Sequence, residues 1–203
     1  MSDRDPALAL FEFDSISAGI VTGDAMIKAA PLGAIYAGTV HPGRYLVLVT
    51  GDTASVEEAQ RVGEEVGGDA LSDSVFLADV HPAVAGAVRG NSGRATVGDE
   101  AIGIVETTTV AAVLDSADAG VKAADAELAS IRLADGLGGK AYVIFTGVVA
   151  EVEAALEAAV ARTQVHGTLL RSDLIPQLHQ EMAENLRRDL QFLNRVSPSR
   201  GGG

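Results

Sequence analysis

Short apolar runs recur along the chain, separated by longer stretches that mix apolar and polar residues at helical spacing. The first run, residues 8–13, is almost wholly apolar and predicts a buried strand. Similar runs at 34–38, 45–50 and 74–78 predict three more strands. One helical stretch follows the first strand and another follows the third. The resulting βαββαβ order is typical of an α/β unit of the ferredoxin-like type.

Each helical stretch has an apolar stripe at helical spacing, which predicts an α-helix. In the first stretch, Ser15 or Ser17 is in position to cap the helix, and the stripe consists of Ile16, Ile20, Gly23 and Ile27. The second stretch opens at Asp52-Thr53, a typical helix start. Its stripe consists of Val56, Ala59 and either Val62 or Val66.

The whole pattern occurs twice, so the chain consists of two diverged copies of one unit. Residues 7–12 match 101–106, and residues 23–30 match 117–124 in the same register. The stripe of the first helix recurs as Val110, Leu114, Ala117 and Val121. The second copy has two extra residues in its central loop, so that Gly43 aligns with Gly139 and Gly51 with Gly147; further on, His81 aligns with His179. A unit of roughly 85 residues buries only about 60% of its surface, which favours packing against other copies.

The repeat divides the chain into five segments. They are an N-terminal tail (1–6), a first domain (7–88), a polar and Gly-rich linker (89–100), a second domain (101–183), and a C-terminal helix with a tail (184–203). The C-terminal helix is predicted from the spacing of Met182, Leu186, Leu190 and Leu193.

Composition limits the chemistry that is open to this chain. Hydrophobic residues make up 47% and aromatic residues only 4%, so the core must be built mainly from aliphatic side chains. The net charge of −13 argues against a nucleic-acid or membrane-surface partner. The absence of Cys excludes disulfides, thiolate catalysis and Cys-ligated metal sites. With no signal peptide and no apolar run near the roughly 20 residues of a membrane span, we expect a cytoplasmic protein.

Several motifs that occur in both copies carry a family resemblance. In the first copy they are residues 23–30 (GDAMIKAA) and 42–52 (PGRYLVLVTGD); in the second they are residues 118–124 (DAGVKAA) and 138–147 (GGKAYVIFTG). These motifs resemble those of bacterial microcompartment shell domains, over roughly residues 7–183. Two copies in one chain are similar to the tandem-domain, trimeric class. The resemblance implies a homotrimer that imitates a hexamer and assembles through its edges with other shell proteins.

The resemblance also implies an axial opening for small metabolites, lined by the central loop of each copy. The implied pore-lining residues are Thr39, Val40, His41, Pro42 and Gly43 in the first copy, and Ala134, Asp135, Gly136, Leu137, Gly138 and Gly139 in the second. Because the two loops differ, the opening of a trimer would have threefold chemistry. We expect the C-terminal helix to dock on its own tile; the alternative is that it recruits encapsulated enzymes or a neighbouring protein.

His41 is the residue at which this chain departs most clearly from its relatives. In the propanediol-utilisation branch of the class, a Cys before the Pro-Gly of this loop holds an iron–sulfur cluster. With His41 in that place and no Cys, we expect no cluster, no bound metal and no other cofactor. The alternatives are a ring of three His41 imidazoles that binds a metal, and a solvated loop residue with no ligand.

The glycines of the second loop permit a phosphate-binding interpretation, but the pattern fits it poorly. No Ser or Thr follows Lys140, and the segment after it has the pattern of a strand. A turn that lets backbones converge on an axis is the better interpretation.

The tile edge is the second kind of site that the resemblance implies. Lys28 and Lys122 are equivalent, and each follows an Asp by one helical turn. The alternative is that each Asp–Lys pair is an ordinary i,i+4 ion pair within its helix. The implied edge residues are Lys28, Lys122, Asp24, Asp118, Asp79, His81, Gln177 and His179.

No arrangement of residues supports catalysis. Nucleophile-elbow, zinc-protease and Walker patterns are lacking, and we expect Glu12 and Glu106 to be structural carboxylates with a partner. We therefore expect a structural shell protein and not an enzyme. The alternatives are a metal- or redox-carrying tile that uses a His41 ring, and a tandem ferredoxin-like enzyme or sensor.

Overall fold

The computed structural model describes residues 6–89, 100–134 and 136–186. The first copy contains β1 (Ala7–Phe13), α1 (Ile16–Ala29), β2 (Ala34–Val40), β3 (Arg44–Gly51), α2 (Thr53–Gly67) and β4 (Leu71–Leu77), followed by a short helix α3 (Pro82–Val88). The second copy contains β5 (Ala101–Thr107), α4 (Val110–Ala123), β6 (Glu127–Leu133), β7 (Ala141–Gly147), α5 (Val149–His166) and β8 (Leu169–Ile175), followed by α6 (Gln180–Leu186).

Each copy forms its own four-stranded antiparallel sheet. The strand order is β2-β3-β1-β4 in the first sheet and β6-β7-β5-β8 in the second. The registers are equivalent as well: Phe11 pairs with Val47 and Ser74, just as Val105 pairs with Val143 and Ser172. The predicted ferredoxin-like fold and the internal repeat are therefore confirmed.

Helices cover one face of each sheet and bury an aliphatic and aromatic core. In the first copy, Phe11 and Phe13 of β1 lie in this core with Met26 of α1 and Val49 of β3. The second copy has Gly120 and Phe145 at the places of Met26 and Val49. A Cβ on Gly120 would lie 2.4 Å from Cζ of Phe145, so the ring occupies the space above the glycine. The two copies thus fill the same space with different pairs of residues.

The predicted helix starts are confirmed by their caps. The side chain of Ser15, and not Ser17, accepts the Ala18 N–H at the start of α1, and Asp52 accepts the Ser55 N–H at the start of α2. Thr109 caps α4 in the same way. Val148 occupies the N-cap of α5 and provides no side-chain hydrogen bond.

The first predicted helix is confirmed as α1, but most of its apolar stripe is not its buried face. Ile16, Ile20 and Ile27 are 41%, 53% and 50% exposed, while α1 buries Gly19, Thr22, Gly23 and Met26. Spacing identifies an apolar stripe, but it does not show which face the sheet covers; here Gly19, Gly23 and Met26 lie on the covered face. On α4, also confirmed as a helix, the equivalent stripe is buried: Val110, Leu114, Ala117 and Val121 are all below 9% exposed. On α2, Val62 is buried and Val66 is exposed.

Two further predictions differ in their boundaries. The last strand of the first copy begins at Leu71 and ends at Leu77, earlier than predicted. The C-terminal helix begins at Gln180, whereas Leu190 and Leu193 lie outside the described residues. Most of the predicted linker, residues 90–99, also lies outside them.

The chain divides into two compact units whose limits differ from those of the repeat. The first unit contains the residues up to Val80 together with the loop Ala134–Gly139. Of the described residues, the second contains 81–89, 100–133 and 140–186. The short helix α3 therefore belongs to the second unit, where it packs against α4 and β6.

Candidate pore loops and assembly surfaces

The first loop is a tight turn at the end of the β2–β3 hairpin. Gly43 donates its N–H to the Val40 carbonyl at 3.0 Å, and Val40 pairs with Arg44. The His41–Pro42 peptide bond is cis, and Gly43 has a φ of +111° that side-chain-bearing residues rarely adopt. Thr39, His41, Pro42 and Gly43 are exposed, whereas Val40 is buried and anchors the turn.

The second loop turns by a different route. Leu137 donates its N–H to the Ala134 carbonyl at 3.0 Å, and the glycines at 136, 138 and 139 all have positive φ. Gly136 and Gly138 are exposed, Leu137 is half-buried, and Ala134 is buried. Asp135, which the sequence also predicts to line the pore, lies outside the described residues.

The two loops lie side by side in the first compact unit. A Cβ placed on Gly139 would be 3.3 Å from Cδ of Pro42 and 3.5 Å from Nη1 of Arg44. Position 139 therefore favours glycine for two reasons: its φ of +88° is rarely adopted by other residues, and the first loop leaves little space for a side chain. One residue of each predicted pore loop, Pro42 and Gly139, therefore lies next to the other in one chain.

A basic residue directly after each loop pairs with a carboxylate on the central strand. Nη1 of Arg44 lies 3.3 Å from Glu12, which is completely buried, and its Nε lies 3.1 Å from Asp14. In the second copy, Nζ of Lys140 lies 2.9 Å from Glu106, whose side chain is 34% exposed. The prediction that both glutamates have structural partners is confirmed.

The identity of those partners was not predicted from the sequence. Glu12 pairs with Leu46 on β3, so Arg44, two residues away on β3, points to the same side of the sheet. The alternation of side chains along a hairpin is the signal that would have identified both Arg44 and Lys140.

The predicted edge lysines are both held by the aspartate one turn earlier. Nζ of Lys28 lies 2.5 Å from Oδ2 of Asp24, and Nζ of Lys122 lies 2.6 Å from Oδ2 of Asp118. The side chains of Lys28 and Lys122 are 72% and 42% exposed. Both ammonium groups are therefore oriented and still open to contact from outside the chain.

The remaining predicted edge residues lie near the short helices that follow each sheet. His81 caps α3, with Nδ1 accepting the Ala83 N–H, and its own main-chain N–H donates to Oδ1 of Asp118 at 2.8 Å. His179 accepts the Glu181 N–H in the same way at the start of α6. Asp79 and Gln177 are exposed.

The outer strand of the second sheet has a charged pair that the sequence analysis missed. Arg171 donates two hydrogen bonds to Asp173 on β8, and these bonds lower the pKa of Asp173 below its ordinary value. Charged side chains on an outer strand oppose the unwanted addition of further strands.

Neither a metal centre nor a membrane span is found in the described part of the chain. Within residues 6–89, 100–134 and 136–186, no three His, Cys, Asp or Glu side chains are grouped so as to hold a metal ion. No helix in those ranges is long and apolar enough to cross a membrane.

The chain contains two copies of one domain in tandem, each a four-stranded sheet with its helices. Residues 7–80 and 101–178 each match the family model of the BMC domain. The chain therefore belongs to the bacterial microcompartment shell proteins, with two BMC domains in one chain. Proteins of this family are structural components of a shell and not enzymes.

Individual relatives support the same assignment. The chain is 35% identical to the bacterial microcompartment shell protein PduT of Citrobacter freundii, over 87% of this chain and 95% of the relative. It is 28% identical to the carboxysome assembly protein CcmO of a Synechocystis strain, over 96% of this chain and 69% of the relative. A crystal structure of a microcompartment protein from Desulfitobacterium hafniense matches with a TM-score of 0.76 and 34% identity, over 88% of this chain and 98% of the other.

Proposed function

We propose that this shell protein forms a homotrimeric tile that imitates a hexamer, with an axial opening through which small metabolites pass. The observation that carries the proposal is the contact between the two loops. The approach of Gly139 to Pro42 brings two different Gly-containing turns to one place in each chain. Three chains would contribute six turns of two alternating kinds.

The composition of the loops suits an opening that polar molecules cross. Thr39, His41 and the exposed glycines present hydroxyl, imidazole and main-chain groups, and no large apolar side chain is exposed in the first loop. Exposed main-chain N–H groups in turns attract anions. The opening would therefore retain enzymes by size and pass small polar substrates or products.

We also propose that the edges of the tile contact other shell proteins through Lys28 and Lys122. Their ion pairs with Asp24 and Asp118 orient the lysines along the helix, and both ammonium groups remain accessible. In this arrangement the aspartates position the lysines. Asp79, His81, Gln177 and His179 would lie at or near the same edges.

Electron microscopy of the purified protein, combined with its molar mass in solution, tests the proposal. We expect particles with the mass of three chains that assemble into sheets of roughly hexagonal tiles with a central opening. A chain that stays monomeric and forms neither sheets nor closed shells would contradict the proposed tile.

A further inference from the structure

The equivalent faces of α1 and α4 differ strongly in their exposure. On α4, Val110 and Leu114 are fully buried and Val121 is 8% exposed. Their counterparts on α1 are Ile16, Ile20 and Ile27, which are 41–53% exposed. Both faces are apolar, so the difference comes from what covers them.

In the second compact unit, the covering element is α3. This helix packs against α4 and β6, and its Val84 is fully buried. The main-chain N–H of His81, just before α3, donates to Oδ1 of Asp118 on α4 at 2.8 Å. That contact leaves the Asp118 side chain only 7% exposed, while its Oδ2 holds Lys122.

The corresponding surface in the first unit is an open groove. It has a volume of about 290 Å³ and is lined by α1, β2 and Tyr45 of β3, with Ile20 and Ile27 on one wall. Asp24 lies on its rim and is the counterpart of Asp118. Its side chain is 61% exposed, and its Oδ2 already holds Lys28 as Oδ2 of Asp118 holds Lys122.

The counterpart of α3 is α6, and it has the matching exposed surface. His179 corresponds to His81, and both residues accept a main-chain N–H at Nδ1 to start their helices. Met182 corresponds to Val84, but Met182 is 53% exposed whereas Val84 is fully buried. The other side of α6 is occupied, because Ala183 and Leu186 pack with Ile102 and Ile144 of its own sheet.

We infer that the groove on α1 binds α6 of a second copy of this chain. Met182 of one copy lies against Ile20 and Ile27 of the next, and the main-chain N–H of His179 donates to Oδ1 of Asp24. The contact repeats between chains the packing that α3 makes with α4 within one chain. It joins two different surfaces, head to tail, and such a contact builds a closed ring when the rotation between neighbours closes, here after three chains.

This inference rests on the proposed ring of three chains and names the contact that closes it. It also links that contact to the proposed tile edge, because a single carboxylate, Asp24, would receive the neighbouring chain and hold Lys28. Binding of the neighbour would therefore set the position of the edge lysine.

Two single variants test the inference, each on one side of the contact. Ile20→Asp places a charge on the groove and Met182→Asp places one on α6; both positions are exposed within a chain, so both variants should fold. Val66→Asp, at an exposed apolar position on α2, is the matched control. Circular dichroism checks folding, and analytical ultracentrifugation measures molar mass.

We expect the control to keep the mass of three chains, and each test variant to fall to the mass of one chain, 20.7 kDa. An equimolar mixture of the two test variants should form pairs, because the intact α6 of the Ile20→Asp chain fits the intact groove of the Met182→Asp chain. Those pairs cannot extend, since the other half of each contact is blocked.

Four other outcomes would overturn the inference. If both test variants remain trimeric, the contact is wrong while the proposed trimer stands. If they remain trimeric but no longer form sheets, the groove binds a neighbouring tile instead. If the mixture stays monomeric, the two surfaces are not partners. A wild-type chain that is monomeric would contradict the proposed trimer itself, and the inference with it.

Discussion

The guanidinium of Arg44 lies 3.3 Å from the carboxylate of Glu12, which is completely buried at the centre of the first sheet. The same guanidinium contacts Asp14 and lies next to Gly139 of the second loop. A single side chain thus connects a buried charge in the sheet with both predicted pore loops. The equivalent pair in the second copy, Lys140 and Glu106, is much more exposed.

Arg44→Met should destabilise the protein by about 3 kcal/mol, because it removes a charged partner of a buried carboxylate. Lys140→Met is the matched control and should cost no more than about 1 kcal/mol, since that pair is solvated. Urea denaturation followed by circular dichroism measures both changes. Equal losses of stability from the two substitutions would show that the burial of Glu12 does not increase the contribution of its ion pair.

Gly120→Ala should destabilise the second domain by about 1–3 kcal/mol through overpacking. The new methyl group would lie 2.4 Å from Cζ of Phe145 and 3.2 Å from the Ala155 carbonyl oxygen, and main chain yields little. Thermal unfolding measures the loss.

The first copy suggests a compensating change for the same site. Gly120→Met together with Phe145→Val reproduces the pair Met26 and Val49 of the first core. We expect this double variant to be more stable than Phe145→Val alone, which leaves a cavity. A double variant no more stable than that single one would show that the two cores are not interchangeable.

Asp52→Ala should destabilise the first domain at neutral pH, because Asp52 caps α2. Hydrogen bonds from the Ser55 side chain and main chain lower the pKa of Asp52 below its ordinary value of 3.8. A carboxyl group whose pKa is lowered by folding stabilises the folded state above its unfolded pKa, and this stabilisation is lost as the pH falls through the folded value. The difference between wild type and Asp52→Ala should therefore shrink in acid. A difference that stays constant down to pH 2 would rule out the charged cap as its cause.

Val148→Ser should stabilise the second domain by about 0.5–1 kcal/mol by giving α5 the cap that it lacks. The backbone at Val148 (φ −68°, ψ 146°) is nearly the same as that at Asp52 (φ −67°, ψ 156°), so a capping side chain fits there without rearrangement. Thermal unfolding measures the gain, and an unchanged or lower midpoint would contradict it.

Lys28→Ala combined with Lys122→Ala should leave the trimer intact and abolish two-dimensional sheets. Lys28 pairs with an exposed aspartate, whereas Lys122 pairs with the buried Asp118, so circular dichroism must first show that the double variant is folded. Arg61→Ala on α2, which removes an exposed cation that forms ion pairs with Glu58 and Glu65, is the control and should assemble normally. Electron microscopy distinguishes the two variants. Regular sheets from the double variant would show that neither lysine is needed for contacts between tiles.

His41→Ala should change the passage of small ions without changing the fold, because His41 is exposed at the end of a hairpin. We expect the ratio of anion to cation conductance to shift several-fold when three imidazoles leave the opening. Conductance of the tiles in a planar bilayer measures it, with Arg61→Ala again as the control. An unchanged ratio would place His41 away from the pore.

Much of the fold could be predicted from the sequence because its signals are local and occur twice. The strand at residues 8–13, the cap at Asp52 and the equivalence of His81 with His179 each follow from spacing, and all three are seen in the structure. Both candidate loops were found in the same way, because Gly and Pro mark turns wherever they are clustered.

The βαββαβ order, its duplication and the family of both copies follow from the amino-acid sequence alone. Tertiary structure alone decided which surfaces are covered. Ile20 and Leu114 have the same spacing pattern, yet Ile20 is exposed and Leu114 is fully buried. The reason is physical: periodicity depends on near neighbours in the chain, whereas burial depends on elements that are distant in the chain and packed in space. Three contacts of this protein join residues that are distant in the chain, and spacing could not predict them. They are the packing of α3 on α4, the ion pair of Arg44 with Glu12, and the approach of Gly139 to Pro42.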